Sequence, residues 1–131
     1  MPSGTTIEDV ARMVEALPGV EEGFRHGHRT WFVGGKAFVW ERPFSKADLR
    51  RFGEAVPPDG PIVAVALADL EEKEELLAMG RRGVFTIPHF DGYAAVLVQL
   101  RTVSRRVLEE TLADAWTAAS PAGAHLTGGK G

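Results

Sequence analysis

Two adjacent glycines, Gly34 and Gly35, interrupt the apolar and aromatic stretch RTWFVGGKAFVW. A two-residue Gly-Gly loop suits a primed β-turn, because glycine adopts positive φ angles without steric cost and primed turns match the twist of paired strands. Valine, threonine and aromatic residues flank the glycines on both sides, and these residue types favour β-strands. The pattern therefore predicts a tight β-hairpin with strands at 29–33 and 36–41.

The register of this predicted hairpin decides which of its side chains are buried. A two-residue turn places Trp31 opposite Phe38, and side chains alternate between the two faces of a strand. We expect the face with Trp31, Phe38 and Trp40 to belong to the core, because cross-strand aromatic pairs stabilise sheets strongly. The other face, with Phe32 and Val39, would then need cover from a helix or from a partner.

Composition limits the class of protein. The chain has 131 residues, 44% of them apolar, which suits one domain with one core. No apolar run is long enough to cross a membrane, and the N-terminus lacks the pattern of a secretory signal. Zero cysteines exclude disulfides and thiolate chemistry. We therefore predict a cytoplasmic protein that does not bind a membrane.

Periodicity and capping residues predict four helices and five strands. Helical spacing or a capping residue indicates helices at 6–16, 69–79 and 104–120, with a short extra helix near 45–53. Ser45, Asp69 and Ser104 are the predicted N-caps of the last three helices in the chain. Strands are predicted at 29–33, 36–41, 62–67, 82–87 and 94–101, and residues 20–28 are predicted to be a connector. The expected fold is a two-layer α+β domain over residues 1–121, with a five-stranded antiparallel sheet in the order α-β-β-β-α-β-β-α. The Gly-rich residues 122–131 are expected to form a flexible tail.

Charge is distributed unevenly along the chain. The net charge is −3, yet residues 25–51 carry a local charge of +5 and residues 81–106 one of +4. These two segments contain the predicted hairpins, whereas the acidic residues lie mostly in predicted helices. This segregation indicates two basic hairpins on a negative body, although ordinary solvated charge would give the same counts.

Chemical motifs are weak. His26 and His28 would share one face of a strand and could ligate zinc with His89 or Asp91, but only two of these ligands have a fixed relation. His89 and Asp91 could do acid–base work, but they would equally suit a turn. There is no phosphate-binding glycine loop and no nucleophile elbow. We therefore predict no catalytic residues, no metal and no cofactor.

Two longer stretches resemble a known family. LPGVEEGFRHGHRTWFVGGKAFVW and IPHFDGYAAVLVQL, the second followed by LEETLADAWTAASP, resemble the MmcQ/YjbR-like proteins over about residues 5–121. The resemblance implies an antiparallel α+β fold, no catalytic residues, and DNA binding through two hairpins described as a double wing. Phe32 occupies a position that is often basic in the family, and Ala94 replaces an expected proline.

Nucleic-acid binding is thus the first functional hypothesis. Lysine and arginine would neutralise phosphates, and an exposed aromatic ring could stack on a base. The few basic residues predict weak, salt-sensitive binding without sequence preference. The alternative is an adaptor that binds a protein partner through the apolar face of Phe32 and Val39. The candidate nucleic-acid-binding residues are Arg25, His26, His28, Arg29, Lys36, Arg42, Arg81, Arg82 and His89.

Overall fold

The computed structural model describes residues 4–120, which form an antiparallel sheet with four α-helices. The helices are α1 (Ile7–Glu15), α2 (Lys46–Phe52), α3 (Leu70–Ala78) and α4 (Arg105–Ala119). The strands are β1 (Val20–Arg25), β2 (His28–Val33), β3 (Lys36–Glu41), β4 (Ile62–Ala66), β5 (Val84–Phe85) and β6 (Ala95–Gln99). The predicted tail at 122–131 and the predicted domain end at 121 lie outside the described residues.

The sheet confirms the α+β class but corrects the number of strands. Its order is β1-β2-β3-β4-β6-β5, and each neighbouring pair is antiparallel. The prediction of five strands was wrong because residues 20–25 form β1 rather than a connector. The segment VEEGFR has charged residues and a glycine, which β-propensity disfavours. It forms a strand because His26 and Gly27 make a tight turn that pairs Arg25 with His28.

The Gly34-Gly35 turn is formed as predicted, but the register beyond it differs. Both glycines have positive φ angles, 59° and 79°, and Val33 pairs with Lys36. A β-bulge then shifts the pairing, so that Trp31 lies opposite Val39 rather than opposite Phe38. A bulge places two residues of one strand opposite one residue of its partner.

The bulge redistributes the aromatic side chains between the two faces of the sheet. Phe38 and Val39 are both fully buried and belong to the same core cluster as Trp31. Trp40 therefore turns to the opposite face, where it packs beside a second cluster. The predicted faces were right for Trp31 and Phe38 and wrong for Val39 and Trp40. This displacement of Trp40 creates part of the candidate site.

The first face of the sheet carries the main core. Helices α1 and α4 bury Val10, Val14, Leu108 and Leu112 against it. Thr6, Asp69 and Ser104 cap three of the helices by accepting hydrogen bonds from backbone N–H groups in the first turn. Within residues 4–120, no helix is both long enough and apolar enough to span a bilayer.

The second face is covered only in part. Phe44 and Phe52 pack edge to face with centroids 5.2 Å apart, and Phe90 is buried in the same cluster. The predicted second hairpin has a short first strand, β5, and its connection contains a 3₁₀ helix at Pro88–Phe90. This connection lies over the second face, so it does not project as a long β-ribbon.

Candidate functional site

A concave pocket of about 620 Å³ opens on the second face of the sheet. Its walls are the β1–β2 turn, the end of β3 with the residues that follow, and the 3₁₀ segment before β6. Five of the nine predicted site residues lie in it, together with aromatic rings. The lining residues are Arg25, His26, His28, Thr30, Trp40, Glu41, Arg42, Pro43, Phe44, Ser45, His89, Phe90 and Tyr93.

The β1–β2 turn positions Arg25, His26 and His28 at one wall. His26 has a φ of 53° and Gly27 a φ of 80°, so both central residues of this turn are left-handed. Among residues 4–120, His26 is the one non-glycine residue with a positive φ. Histidine is among the side chains that occur most often in this conformation, but the conformation still costs energy. The turn therefore holds an exposed imidazole in place at the expense of some backbone strain.

Arg42 lines the pocket just after the end of β3. Its backbone N–H donates a 2.9 Å hydrogen bond to the carbonyl of Ile62, which continues the β3–β4 ladder. Its guanidinium lies 3.0 Å from Asp48 and over the ring of Phe90, 5.4 Å from the ring centroid. These contacts fix the direction of the side chain, because one orientation of the guanidinium makes both the ion pair with Asp48 and the cation–π contact with Phe90.

Asp48 is the buried partner that holds Arg42. Ser45 and Asp48 form a reciprocal capping box at the start of α2, as the predicted cap at Ser45 implied. Burial raises the pKa of the Asp48 carboxyl, but hydrogen bonds from Ser45 and Arg42 lower the pKa more, so it lies below its ordinary value. Asp48 is therefore an anion at neutral pH that offsets part of the charge of Arg42.

A buried lysine anchors the opposite wall. Lys73 on α3 is 6% exposed, and its Nζ donates to the carbonyl oxygens of Phe90 at 2.6 Å and Tyr93 at 2.8 Å. Burial lowers the pKa of Lys73, and the nearby carboxylate of Asp91 opposes that shift. The two hydrogen bonds tie the 3₁₀ segment to α3, and they set where its aromatic side chains stand.

Four neighbouring aromatic rings line this wall, each in contact with the next. Ring centroids are 5.9 Å apart for His89 and Phe90, 5.5 Å for Phe90 and Tyr93, and 6.4 Å for Tyr93 and Trp40. Tyr93 is 51% exposed, so one part of its ring is accessible. Trp40, Phe44, Phe90 and Tyr93 are not among the site residues predicted from the sequence. A β-bulge and a 3₁₀ segment bring them together, and neither has a clear signal in the sequence.

Arg29 and Arg81 lie elsewhere and are held by carboxylates. Arg29 contacts Glu22 and Glu8, each at 2.7 Å, and its guanidinium lies over the Trp31 ring on the first face. The hydrogen bonds that Arg29 donates to Glu22, and then to Glu8, raise the pKa of Arg29, although burial opposes this shift. Arg81 lies 2.9 Å from Glu110. Arg81 and Arg106 hold the pKa of Glu110 below its ordinary value.

Lys36 and Arg82 are exposed and do not line the pocket. Lys36 follows the Gly34-Gly35 turn, at the end of the β2–β3 hairpin opposite to His28. The nine predicted residues therefore do not form one continuous surface. Within the described part of the chain, no group of three or more His, Cys, Asp or Glu side chains is arranged to hold a metal ion.

Comparison with known proteins identifies the family of this chain. A family model described as YjbR matches residues 15–118. The chain is 44% identical over 119 residues to the uncharacterized proteins Mb2600 of Mycobacterium bovis and Rv2570 of Mycobacterium tuberculosis, covering 88% of this chain and 89% of each relative. No solved structure gives a significant match. The match spans both hairpins and the last helix, which confirms the resemblance seen in the sequence: the chain belongs to the YjbR family.

Proposed function

We propose that this chain is a non-enzymatic cytoplasmic protein that binds nucleic acid weakly and in a salt-sensitive way. The observation that carries the proposal is the convergence of five predicted residues in one aromatic-lined pocket: Arg25, His26, His28, Arg42 and His89. Cationic and imidazole groups contact phosphates, and aromatic rings stack on bases without regard to sequence. DNA is the partner that family membership favours.

The charge of the pocket supports weak rather than tight binding. Arg25 forms no ion pair with a carboxylate of residues 4–120, so its charge is free for a ligand. Arg42 shares its charge with Asp48. Glu41 adds a carboxylate, one oxygen of which accepts the backbone N–H of Arg29 at 2.9 Å.

Ion pairing favours the pocket over two separate basic ribbons as the site of contact. Arg29 and Arg81, one in each predicted hairpin, are held by Glu22, Glu8 and Glu110. A phosphate would have to displace these carboxylates. We therefore expect a polyanion to contact Arg25 and Arg42 in the pocket rather than Arg29 and Arg81, with the release of few counterions.

The test is a titration of the full chain with labelled oligonucleotides at about 50 mM and 200 mM salt. We expect the logarithm of the binding constant to fall linearly with the logarithm of the salt concentration, with a slope near −0.9 for each phosphate contacted. For one or two phosphates in this pocket, the slope is about −1 to −2. Arg25→Ala should weaken binding and reduce the slope, whereas Lys36→Ala, at the far end of the hairpin, is the matched control. No binding at about 0.1 mM protein and low salt would rule the proposal out.

An adaptor role is the second candidate, and one observation favours it. Phe32 lies partly exposed over Gly23 on the uncovered half of the second face. Val39, the other residue expected on that surface, is fully buried in the first-face core. A partner that binds through this surface would lose affinity on Phe32→Ser and keep it on Arg25→Ala.

A further inference from the structure

We propose that the pocket accepts one unpaired nucleotide unit, meaning a planar base together with its phosphate. This inference rests on the proposed function and makes it specific, because it selects single-stranded over duplex nucleic acid. A nucleotide within a single strand and a free nucleoside phosphate both present a base and a phosphate, and either could occupy the pocket. The structural basis is the combination of an aromatic wall and a cationic wall around one concavity.

The shape of the site favours a single nucleotide. Its volume of about 620 Å³ lies within the range of about 300–1,000 Å³ that is typical of small-ligand pockets. A duplex presents its phosphates on a convex surface and keeps its bases stacked inside. A rigid duplex can therefore contact only the rim of this concavity, whereas an unpaired nucleotide can place its base inside.

The aromatic wall supplies a surface for the base. Trp40 and Tyr93 lie with ring centroids 6.4 Å apart and with their planes inclined at 46°, so the two rings are not stacked on each other. Tyr93 is about half exposed, and a base could stack on its accessible face. The backbone of this wall is fixed by Lys73, which contacts carbonyl oxygens rather than the tyrosine ring.

The cationic wall supplies contacts for the phosphate. Arg25, His26 and His28 all lie within the four residues of one tight turn, whose ends Arg25 and His28 are paired across the β1–β2 ladder. Arg42 is already oriented by Asp48 and by the ring of Phe90. A site whose donors are fixed before binding loses less side-chain entropy when the ligand arrives. The two walls thus match the two halves of a nucleotide.

The experiment compares three ligands with the same full-length chain. They are a single strand of about 16 nucleotides, a duplex of the same length, and a nucleoside 5′-monophosphate, with tryptophan fluorescence and competition as readouts. We expect the single strand to bind at least about tenfold more tightly than the duplex. We expect the monophosphate to compete for the same site and to quench tryptophan fluorescence.

Variants separate the pocket from general electrostatics. Tyr93→Ser should weaken single-strand binding at least about fivefold and leave the residual duplex affinity unchanged. Phe24→Ser is the matched control, because Phe24 is an exposed aromatic residue outside the pocket. Trp40→Leu tests the second ring, and circular dichroism reports whether that variant remains folded. A Tyr93→Ser protein with wild-type single-strand affinity would contradict the inference.

The outcomes distinguish this inference from the proposed function. Equal affinity for single strand and duplex, both lost with salt, would overturn the single-nucleotide site and leave nucleic-acid binding intact. Binding of the monophosphate without binding of either polymer would overturn the proposed function and assign the pocket to a free nucleotide. Failure of all three ligands to bind at low salt would overturn both.

Discussion

The Nζ atom of Lys73 lies 2.6 Å from the carbonyl oxygen of Phe90, and both residues are buried. Lys73 is on α3, 17 residues before Phe90, so this contact joins a helix to the wall of the pocket. A buried ammonium group is costly unless its hydrogen bonds are satisfied. The contact therefore links the stability of the domain to the geometry of the candidate site.

Replacing Lys73 with methionine should destabilise the protein. The variant keeps the apolar stem but loses the two charge-assisted hydrogen bonds of Lys73, which costs about 1–3 kcal/mol in the free energy of unfolding. The carbonyl oxygens of Phe90 and Tyr93 then keep only the backbone N–H groups of Tyr93 and Ala95 as donors. Urea denaturation measures this change, and single-strand affinity should fall because the wall loses its anchor. Lys36→Met, at an exposed strand end, is the control and should change neither quantity. Equal unfolding midpoints for the two variants would refute the anchoring role.

Asp48→Asn should lower stability at neutral pH by about 1–3 kcal/mol, because the buried charge-assisted hydrogen bonds of the capping box and of Arg42 are weakened. The pKa of Asp48 in the folded state lies below the ordinary value of 3.8. Its contribution to stability is therefore present above about pH 4 and is lost as the pH falls through the lower folded pKa.

The pH dependence gives the decisive comparison for Asp48. The difference in unfolding free energy between wild type and Asp48→Asn should shrink as the pH falls from about 4 toward 2. Asp59→Asn is the control, because Asp59 pairs with Arg101 at an exposed site and such pairs contribute little. A difference that stays constant from neutral to acid pH would show that the charge of Asp48 does not stabilise the fold.

Substitution of Arg29 should affect stability, whereas substitution of Arg25 should affect nucleic-acid binding. Arg29→Gln breaks the pairs with Glu22 and Glu8, so we expect a stability loss of about 1 kcal/mol that decreases with added salt. Arg25→Gln should leave stability unchanged and weaken nucleic-acid binding. Thermal unfolding and oligonucleotide titration of both variants check this. The opposite pattern, with Arg29→Gln alone losing affinity, would place the interface on the first face of the sheet.

Two substitutions at His26 separate the effect of backbone strain on stability from the effect of the imidazole on binding. His26→Gly removes a non-glycine residue from a positive φ and should stabilise the fold by up to about 1 kcal/mol. His26→Val places a β-branched side chain at the same φ and should destabilise the fold by about 1–2 kcal/mol. Both variants lose the imidazole and should bind nucleic acid less well. A valine variant as stable as the glycine variant would contradict the assigned turn geometry.

Local signals in the sequence were sufficient for many elements. The Gly34-Gly35 turn and the caps at Ser45, Asp69 and Ser104 lie where the sequence predicts them. These features depend on residues three or fewer positions apart, so the chemistry that forms them is visible in a short stretch. The strand at residues 20–25 was missed because its charged sequence has no strand pattern and its pairing comes from the next turn.

The pocket could not be predicted in the same way. The sequence indicated the basic residues, but it could not show that Arg29 is paired with Glu8, 21 positions away. Nor could it show that a bulge turns Trp40 toward Tyr93, since a one-residue shift in register reverses the face of every residue that follows.

By itself, the sequence of this protein determined the Gly34-Gly35 turn, the helix caps at Ser45, Asp69 and Ser104, the α+β class and the family. The tertiary structure alone decided which charges are free and which rings line the pocket. The physical reason is distance along the chain: turns and caps form between near neighbours, whereas the contacts of Arg42 with Phe90 and of Lys73 with Tyr93 require the whole sheet to be in register.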